Sequence, residues 1–409
     1  MTYDSDILIA GGGLNGPALA LALAQGGLSV TVVDARPATV RAEAGFDGRS
    51  YALAIASKRL LTAIGVWGDV ADRVQPILQI KASDGIAGQG AAPFFLHFDS
   101  AEIEEGPMGF MLEDRHLYRA FLDAMGSTRG VTLLSGETVV AQDTTPQGVS
   151  ITLASGKTLT ARLLVGCDGR GSGTAARAGI QRVGWGYGQT ALVTAIRHEK
   201  NHQGIAQQFF MPAGPLAILP LPGGYHSSIV WSETDSAAAA IQALEDADYL
   251  AVLRPRFGDF LGEIALAGAR FTYPLSLSLA QSFVAPRLAL VGDAAHGVHP
   301  IAGQGLNLGL RDVAALAEVL VDASRRGEDI GAADVLDRYQ RWRRFDSTTL
   351  ALGMDGVNRL FSNDHGALRL ARDLGMGAIN ALPGLRRGFI RQAAGLTGDL
   401  PRLLSGQSL

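Results

Sequence analysis

Two textures alternate along the chain. Short, wholly apolar runs that end in glycine occupy its two ends, and runs alternating between apolar and polar residues fill the middle. Ile7–Ala10 reads as a buried strand, Asn15–Gln25 as a helix closed by Gly26-Gly27, and Ser29–Val33 as a second strand tipped by Asp34. Leu60–Val66 has a helical pattern ending at Gly65, residues 77–112 carry short alternating stretches such as Phe94–Phe98, and Arg115–Met125 is an amphipathic helix. Strands follow at Val131–Leu134, Thr138–Asp143, Ser150–Leu153 and Thr158–Leu164. Glycine and proline then punctuate strands at Gln189–Arg197, Ile205–Met211, Leu216–Leu221 and Ser227–Trp231, and a helix is expected over Ala237–Leu253. Leu288–Val291 is again fully apolar and runs into Gly292-Asp293. Leu306–Ser324 is a long helix, and nearly everything from Asp334 to about Ala394 is helical in pattern.

This order predicts an α/β protein with an α+β insert: a Rossmann-like dinucleotide domain interrupted by an antiparallel β domain, with a helical C-terminus. The expected division is 1–76, 106–182 and 283–345 for the dinucleotide domain, 77–105 and 183–282 for the β-sheet substrate domain, and 346–409 for the C-terminal helical region.

Composition narrows the function classes. Glycine, at 52 of 409 residues, is about twice its usual share, whereas charged residues are only 18%. A single cysteine excludes an internal disulfide, a CxxC redox pair, a multi-cysteine zinc site and an iron–sulfur cluster. No metal site is expected. A net charge of −4 gives no global attraction to nucleic acid. Ile7–Ala24 has the length and apolarity of a membrane span, but Asp4 and Asp6 precede it and Gly11, Gly12, Gly13, Gly16 and Pro17 interrupt it. It is expected to be strand, turn and helix in a cytoplasmic protein, at most peripheral at the inner membrane face.

The excess glycine concentrates in three turns. Gly11-Gly12-Gly13-Leu14-Asn15-Gly16 fits G-x-G-x-x-G between an apolar strand and a helix, with Asp34 closing the next strand. Gly11 permits the tight turn, Gly13 lets backbone approach a pyrophosphate, Gly16 lets helix pack on strand, and Asp34 can accept from an adenosine ribose. Val165-Gly166-Cys167-Asp168-Gly169 follows a second apolar strand. Leu290-Val291-Gly292-Asp293-Ala294-Ala295-His296 follows a third and continues through Pro300, Gly303-Gln304-Gly305 and Asn307 into the long helix. Asp293 at a strand end can bind a polyol, and the glycines after Pro300 let backbone N–H groups face a ring or a phosphate.

Together these motifs resemble the single-component FAD-dependent aromatic hydroxylases of the p-hydroxybenzoate hydroxylase fold, most specifically over residues 292–309. Asp47-Gly48-Arg49-Ser50-Tyr51-Ala52-Leu53, Gly65-Val66-Trp67, Gly214-Pro215-Leu216-Ala217 and the segment from Leu382-Pro383-Gly384 to Ala394-Gly395 further resemble the ubiquinone-biosynthesis hydroxylases, which act on polyprenylated phenols. The resemblance implies that Gly11, Gly13, Gly16 and Asp34 hold the ADP half of FAD, and that Arg49 and Arg115 lie against the cofactor. It implies that Asp168 serves both FAD and the pyridine nucleotide. Gly292 and Asp293 would meet the ribityl chain, with Pro300, Gly303 and Gly305 beside the isoalloxazine. It also implies the reaction: NAD(P)H, bound transiently, reduces FAD, and dioxygen then gives a flavin C4a-hydroperoxide that hydroxylates an electron-rich ring.

That chemistry needs a dry wall. Phe210, Leu216, Leu219 and Trp231, with Phe209, are apolar residues on the insert's strands that suit it, and most of them suit an ordinary core better. His226, His296 and Asp293 are candidates for a base by location only. The 75 residues from 335 on hold 11 Arg and 6 Asp, with arginines clustered at 341, 343 and 344 and at 386, 387 and 391. Two readings of this stay open: a peripheral membrane contact or a biosynthetic-complex contact through residues 341–391, and the plainer one of a helical cap or oligomer contact with solvated arginines. Two other readings stay open: a prenyl-chain reductase of the same fold, and a non-catalytic flavoprotein scaffold.

Overall fold

Ile7, Leu8 and Ile9 carry no exposed surface, because the strand they form sits in the middle of a parallel sheet. The computed structural model describes residues 2–42, 45, 48–88, 90–299, 303–362, 375, 377 and 379–409. In it, Ser5–Ala10 pairs on one side with Val30–Asp34 and on the other with Thr158–Gly166. Val131–Ser135 and Leu288–Leu290 extend the parallel array outward. Strands buried on both faces read as continuous apolar runs, which is why the inner ones were visible in the sequence; Val131–Ser135, at the sheet edge, is partly exposed. Val139–Thr144 and Val149–Leu153 form an antiparallel flap on Thr158–Gly166.

The span-like stretch from Ile7 is core, not lipid-facing. Every residue from Gly16 to Leu23 is buried in the helix Asn15–Gln25, which is apolar all round because protein covers all of it. The helix Gln304–Arg325 packs against it so closely that a Cβ on Gly26 would lie 2.2 Å from Val321 Cγ2. No helix among the described residues is long and apolar enough to cross a membrane.

The second sheet contains nine strands. Its order runs His296–Gly297, Phe271–Ala280, Arg182–His198, His226–Thr234, Gly214–Pro220, Ile205–Met211, Gln79–Ile86 and Gly90–Asp99, with Ile264–Leu266 beside Arg182–His198. The pairing of Gln79–Ile86 with Ile205–Met211 is parallel, and the rest are antiparallel. Gly109–Glu113, read from the sequence with the neighbouring alternating stretches, instead joins a separate three-stranded sheet with Ser50–Leu53 and Gln75–Ile77.

Two helical readings are refined. The helix expected over Ala237–Leu253 is two helices, Asp235–Gln242 and Asp246–Phe257; the Thr234 hydroxyl accepts from Ala237 N at 3.4 Å at the start of the first. Both helices cover one face of the nine-stranded sheet. The C-terminal segment contains Ala333–Phe361, a single 29-residue helix that passes unbroken through position 345, and Pro383–Ala393.

Candidate functional site

The carboxyl ends of the parallel strands meet in one place. Gly11 N donates to Val33 O at 2.8 Å, Cys167 N to Ala10 O at 2.7 Å, and Val291 N to Gly166 O at 3.0 Å, so three successive strand exits are tied together. Sterics explain the glycines there. Gly11 has φ +108°, and a Cβ on it would lie 2.3 Å from Cys167 O; one on Gly16 would lie 2.0 Å from Gly11 O. Gly13 is different, because a Cβ on it would meet no protein atom within 4 Å. Its backbone faces open space at the start of the helix Asn15–Gln25. That helix start carries no side-chain cap and no acidic residue in its first turn. Uncapped N–H groups and the positive end of the helix dipole suit an anion. Asp34, at the tip of its strand, lies against Gly12, and its Oδ1 accepts from Arg36 N at 2.9 Å.

The third turn closes on the first through Asn15. A Cβ on Gly292 (φ +63°) would lie 2.2 Å from Asn15 Nδ2, and one on Gly309 would lie 2.4 Å from the same atom. Asn15 Oδ1 is buried without a protein partner among the described residues, an acceptor that a ligand hydroxyl would satisfy. Gly303, also left-handed, places its Cα against Ala52, with 3.0 Å left for a Cβ. Asn307 fastens the same contact: its Nδ2 donates to Ala52 O and Gly303 O, while its Oδ1 accepts from Ala54 N and Ser57 Oγ. Gly305 has open space around it. Pro300 lies outside the described residues.

The charged candidates divide. Asp293 Oδ2 accepts from Arg170 Nε at 3.2 Å, and both groups are half-exposed. Asp168 turns inward on its own loop, accepting from Ser172 Oγ at 2.5 Å and Thr174 N at 2.9 Å, so it holds the turn together. Arg49 and Arg115 sit at the same end of the Ser50–Leu53 and Gly109–Glu113 pair. Arg115 Nε donates to Glu113 Oε2 at 2.6 Å; Arg49 lies 3.9 Å from Asp114 Oδ2 and 5.5 Å above the Phe271 ring.

Several residues that hold the site were not singled out from the sequence. Asp312, fully buried, takes Gly292 N at 3.0 Å, His296 Nε2 at 2.5 Å and Arg343 Nε at 2.8 Å. Burial pushes the Asp312 carboxyl up, but His296 and Arg343 outweigh it and hold it below the usual carboxylate range. Arg343 also reaches Asp346 at 2.6 Å, and Tyr339 donates to Leu290 O at 2.7 Å. Arg182 clamps the same turn from the other side, donating to the carbonyls of Asp293 and Ala294. His296 is thereby tied to a carboxylate below the turn, and His226 stands in the insert opposite Arg197. Asp312 lies sixteen residues beyond His296 and Arg343 a further thirty-one, and no local pattern joins them.

The apolar wall needs correction by strand parity. Leu216 and Trp231 pair across neighbouring strands and are fully buried against the helices Asp235–Gln242 and Asp246–Phe257, as is Phe209 nearly so. They form the insert's own core on the helix-covered face. Phe210 and Leu219 point to the opposite face; Phe210 meets the Phe361 ring at 4.1 Å, and Leu219 packs toward Ala195, Ile55 and Ile77. Alternation along the strands was the signal that separates the two pairs.

The tail arginines are also mostly paired. Arg343 is buried, Arg341 meets Asp337 at 2.5 Å, Arg386 meets Glu102 at 2.7 Å and Arg391 meets Glu105 at 2.5 Å. The helix Pro383–Ala393 and its approach also expose apolar side chains, Leu382 (55%), Leu385 (48%) and Phe389 (48%), beside the exposed Arg387, Arg391 and Gln392. Among the described residues no group of three or more His, Cys, Asp or Glu is placed to hold a metal ion.

The Gly13 opening, the uncapped helix start, the half-buried Asp34 and the unpartnered Asn15 acceptor fit an adenine dinucleotide lying across the strand ends. The comparisons agree with this. A family model described as an FAD binding domain matches residues 4–350. Ubiquinone hydroxylase UbiL of Rhodospirillum rubrum is 47% identical, the match covering 99% of this chain and 94% of that protein. The 3-demethoxyubiquinol 3-hydroxylase of Escherichia coli is 36% identical, over 96% of this chain and 99% of that protein. Among solved structures, p-nitrophenol 4-monooxygenase PnpA from Pseudomonas putida superposes with a TM-score of 0.81 at 19% identity, covering 97% of this chain and 99% of that one, a likeness of fold.

Proposed function

The chain belongs to the FAD binding domain family and, within it, to the ubiquinone hydroxylases, and from that premise we propose that it is an FAD-dependent monooxygenase hydroxylating the ring of a polyprenylated phenol with NAD(P)H and dioxygen. The observation that carries this reading is the meeting of three sets of turn glycines, Gly11 to Gly16, Gly166 to Gly169, and Gly292 with Gly303 and Gly309, around one set of strand ends.

In this reading the uncapped start of Asn15–Gln25 and the open backbone at Gly13 take the pyrophosphate, and Asp34 takes the adenosine ribose. Asn15 and Asp293 meet the polyol, while Gly303 and Gly305 leave room for the ring. Arg49 and Arg115 supply positive charge at the edge, each steadied by a carboxylate. Asp168 acts through the loop it holds, and Gly303 and Gly305 border the reacting edge. FAD, when bound, supplies hydride acceptance and dioxygen activation, which no side chain here can. The protein's own task is to orient the phenol and exclude water. Phe210 and Leu219, on the face turned away from the insert's helices, belong to that dry wall.

We assign residues 1–76, 106–182 and 283–345 to the cofactor, 77–105 and 183–282 to the substrate, and 346–409 to a cap. A lipid contact would rest on Leu382, Leu385 and Phe389 with the exposed Arg387 beside them, while Arg386 and Arg391 are held by carboxylates. Vesicle flotation of the wild type against Leu385→Asp/Phe389→Asp tests that contact; equal flotation contradicts it.

The substrate class is tested by mass spectrometry of the quinone precursors that accumulate when the gene is deleted. A polyprenylated phenol lacking one ring hydroxyl is expected, and its disappearance on complementation. An accumulating compound unrelated to quinones, or a chain-unsaturated precursor, would contradict the hydroxylase reading in favour of another substrate or of a reductase.

A further inference from the structure

Four histidines are buried among the described residues: His198, His202, His296 and His299. Three have partners on the page. His198 bonds Lys200 O and Ser227 Oγ, His202 bonds Leu221 O and accepts from Gly204 N, and His296 bonds Asp312. His299 is the exception. Its side chain is 1% exposed, and neither Nδ1 nor Nε2 has a hydrogen-bond partner among the described residues.

A tyrosine lies beside it. Tyr187, on the strand Arg182–His198, meets the His299 ring edge-on at 5.1 Å and 72°, and its hydroxyl is turned toward the Asp355 carboxylate. Leu277, Val298, Leu308, Ala351 and Met354 pack around the pair, and Asp355 and Arg170 are the charged groups near it. The two unpartnered imidazole nitrogens lie where the segment from Gly292 to His299, the insert sheet and the helix Ala333–Phe361 converge. Buried polar groups are kept unpaired at a cost, and an imidazole with neither nitrogen satisfied marks where a polar ligand group arrives.

The charge state defines that ligand. Burial first, then the charge of Arg170, pushes His299 down to about 4, with Asp355 opposing weakly. Burial and then Asp355 push the Tyr187 phenol up. Both rings are therefore neutral at neutral pH. A neutral imidazole offers one acceptor and one donor, which suits an uncharged hydroxyl and not an anion.

We infer that His299 binds the phenolic hydroxyl of the substrate and, through that hydrogen bond, fixes which ring carbon is presented for hydroxylation, with Tyr187 against the imidazole as its brace. This inference rests on the proposed phenol hydroxylase reading and deepens it. His299 lies one residue past Val298, whose carbonyl is held by Arg170 Nη2 at 3.0 Å, so its backbone is anchored to the same turn that carries Asp293.

The test is a ligand pair: a phenol bearing one prenyl unit, and its methyl ether, titrated by calorimetry into the FAD-loaded full chain. The wild type should prefer the phenol by roughly tenfold, the worth of one neutral hydrogen bond. His299→Phe should bind both ligands equally, and His299→Gln, which keeps a donor and an acceptor, should keep part of the preference. Flavin content per chain checks folding, and His299→Leu repeats the test if the phenylalanine variant loses flavin. A preference undiminished in the variants overturns the inference, as does equal weakening of both ligands, which marks a packing role. A wild type that binds both equally overturns the inference alone. A wild type that binds neither overturns the phenol hydroxylase reading beneath it.

Discussion

Gly13 and Gly16 stand three residues apart and are glycine for opposite reasons. Gly16 has no room for a Cβ, whereas Gly13 has nothing but room. Gly13→Val should therefore leave the thermal midpoint nearly unchanged and strip flavin from the purified protein, read as flavin absorbance per chain; Gly16→Val should lose stability and flavin together. Normal flavin content in Gly13→Val would contradict the cradle. His299 supports a second prediction, through protons. Its native pKa, at about 4, lies below the ordinary 6.5, so between those values the unfolded chain binds a proton that the native chain does not. Stability from this group is present above pH 6.5 and is lost as pH falls toward 4. His299→Phe should flatten the fall by up to about 1.4 kcal/mol per pH unit in denaturant titrations between pH 6.5 and pH 5. His198 and His202, also lowered by burial, keep the rest of the slope. An unchanged slope would contradict a neutral His299. At this scale the fingerprint glycines were legible because their spacing is local. His299 and Asp312 were not: burial and the absence or presence of a partner come from residues far away in the chain.

Elements were readable where one pattern ran without interruption. Ile7 to Ala10, Leu163 to Val165 and Leu288–Leu290 are continuous apolar runs because protein covers both faces. The strand Ser50–Leu53, with four residues of mixed polarity and no bounding glycine-rich run, gave no such signal, yet through Asn307 and Gly303 it seats the start of the long helix. The insert's strands were found, but their two faces were not separated, and of the residues offered for the dry wall Leu216 and Trp231 belong to the core that was its alternative. The element most exposed to a single change is the helix Ala333–Phe361, whose Arg343 reaches Asp312 beneath the Gly292 turn. Asp312→Ala should cost about 3–5 kcal/mol in urea unfolding, toward the lower end because Asp346 still holds Arg343. It should also release Gly292 N, and with it flavin affinity. A cost under about 1 kcal/mol would show that Asp346 alone satisfies Arg343.

Across the whole molecule, two sheets of different construction meet at one seam. The parallel sheet offers its strand ends and the nine-stranded sheet the face turned away from the helices Asp235–Gln242 and Asp246–Phe257, and His296–Gly297, which follows on the Gly292–Ala294 turn, pairs with the strand Phe271–Ala280 of the insert. In the proposed reading, cofactor and substrate border the two sides of the segment from Gly292 to His299, so a change of a few ångströms there would alter both. The measurement that tests this account most directly is the fate of labelled dioxygen. Purified FAD-loaded protein is given a short-chain prenylated phenol, NAD(P)H and oxygen-18 gas, and the product is weighed. The account predicts one labelled oxygen atom on the ring, formed in step with NAD(P)H consumption. A product whose new oxygen comes from water, or a product with reduced prenyl bonds and no new oxygen, would contradict it.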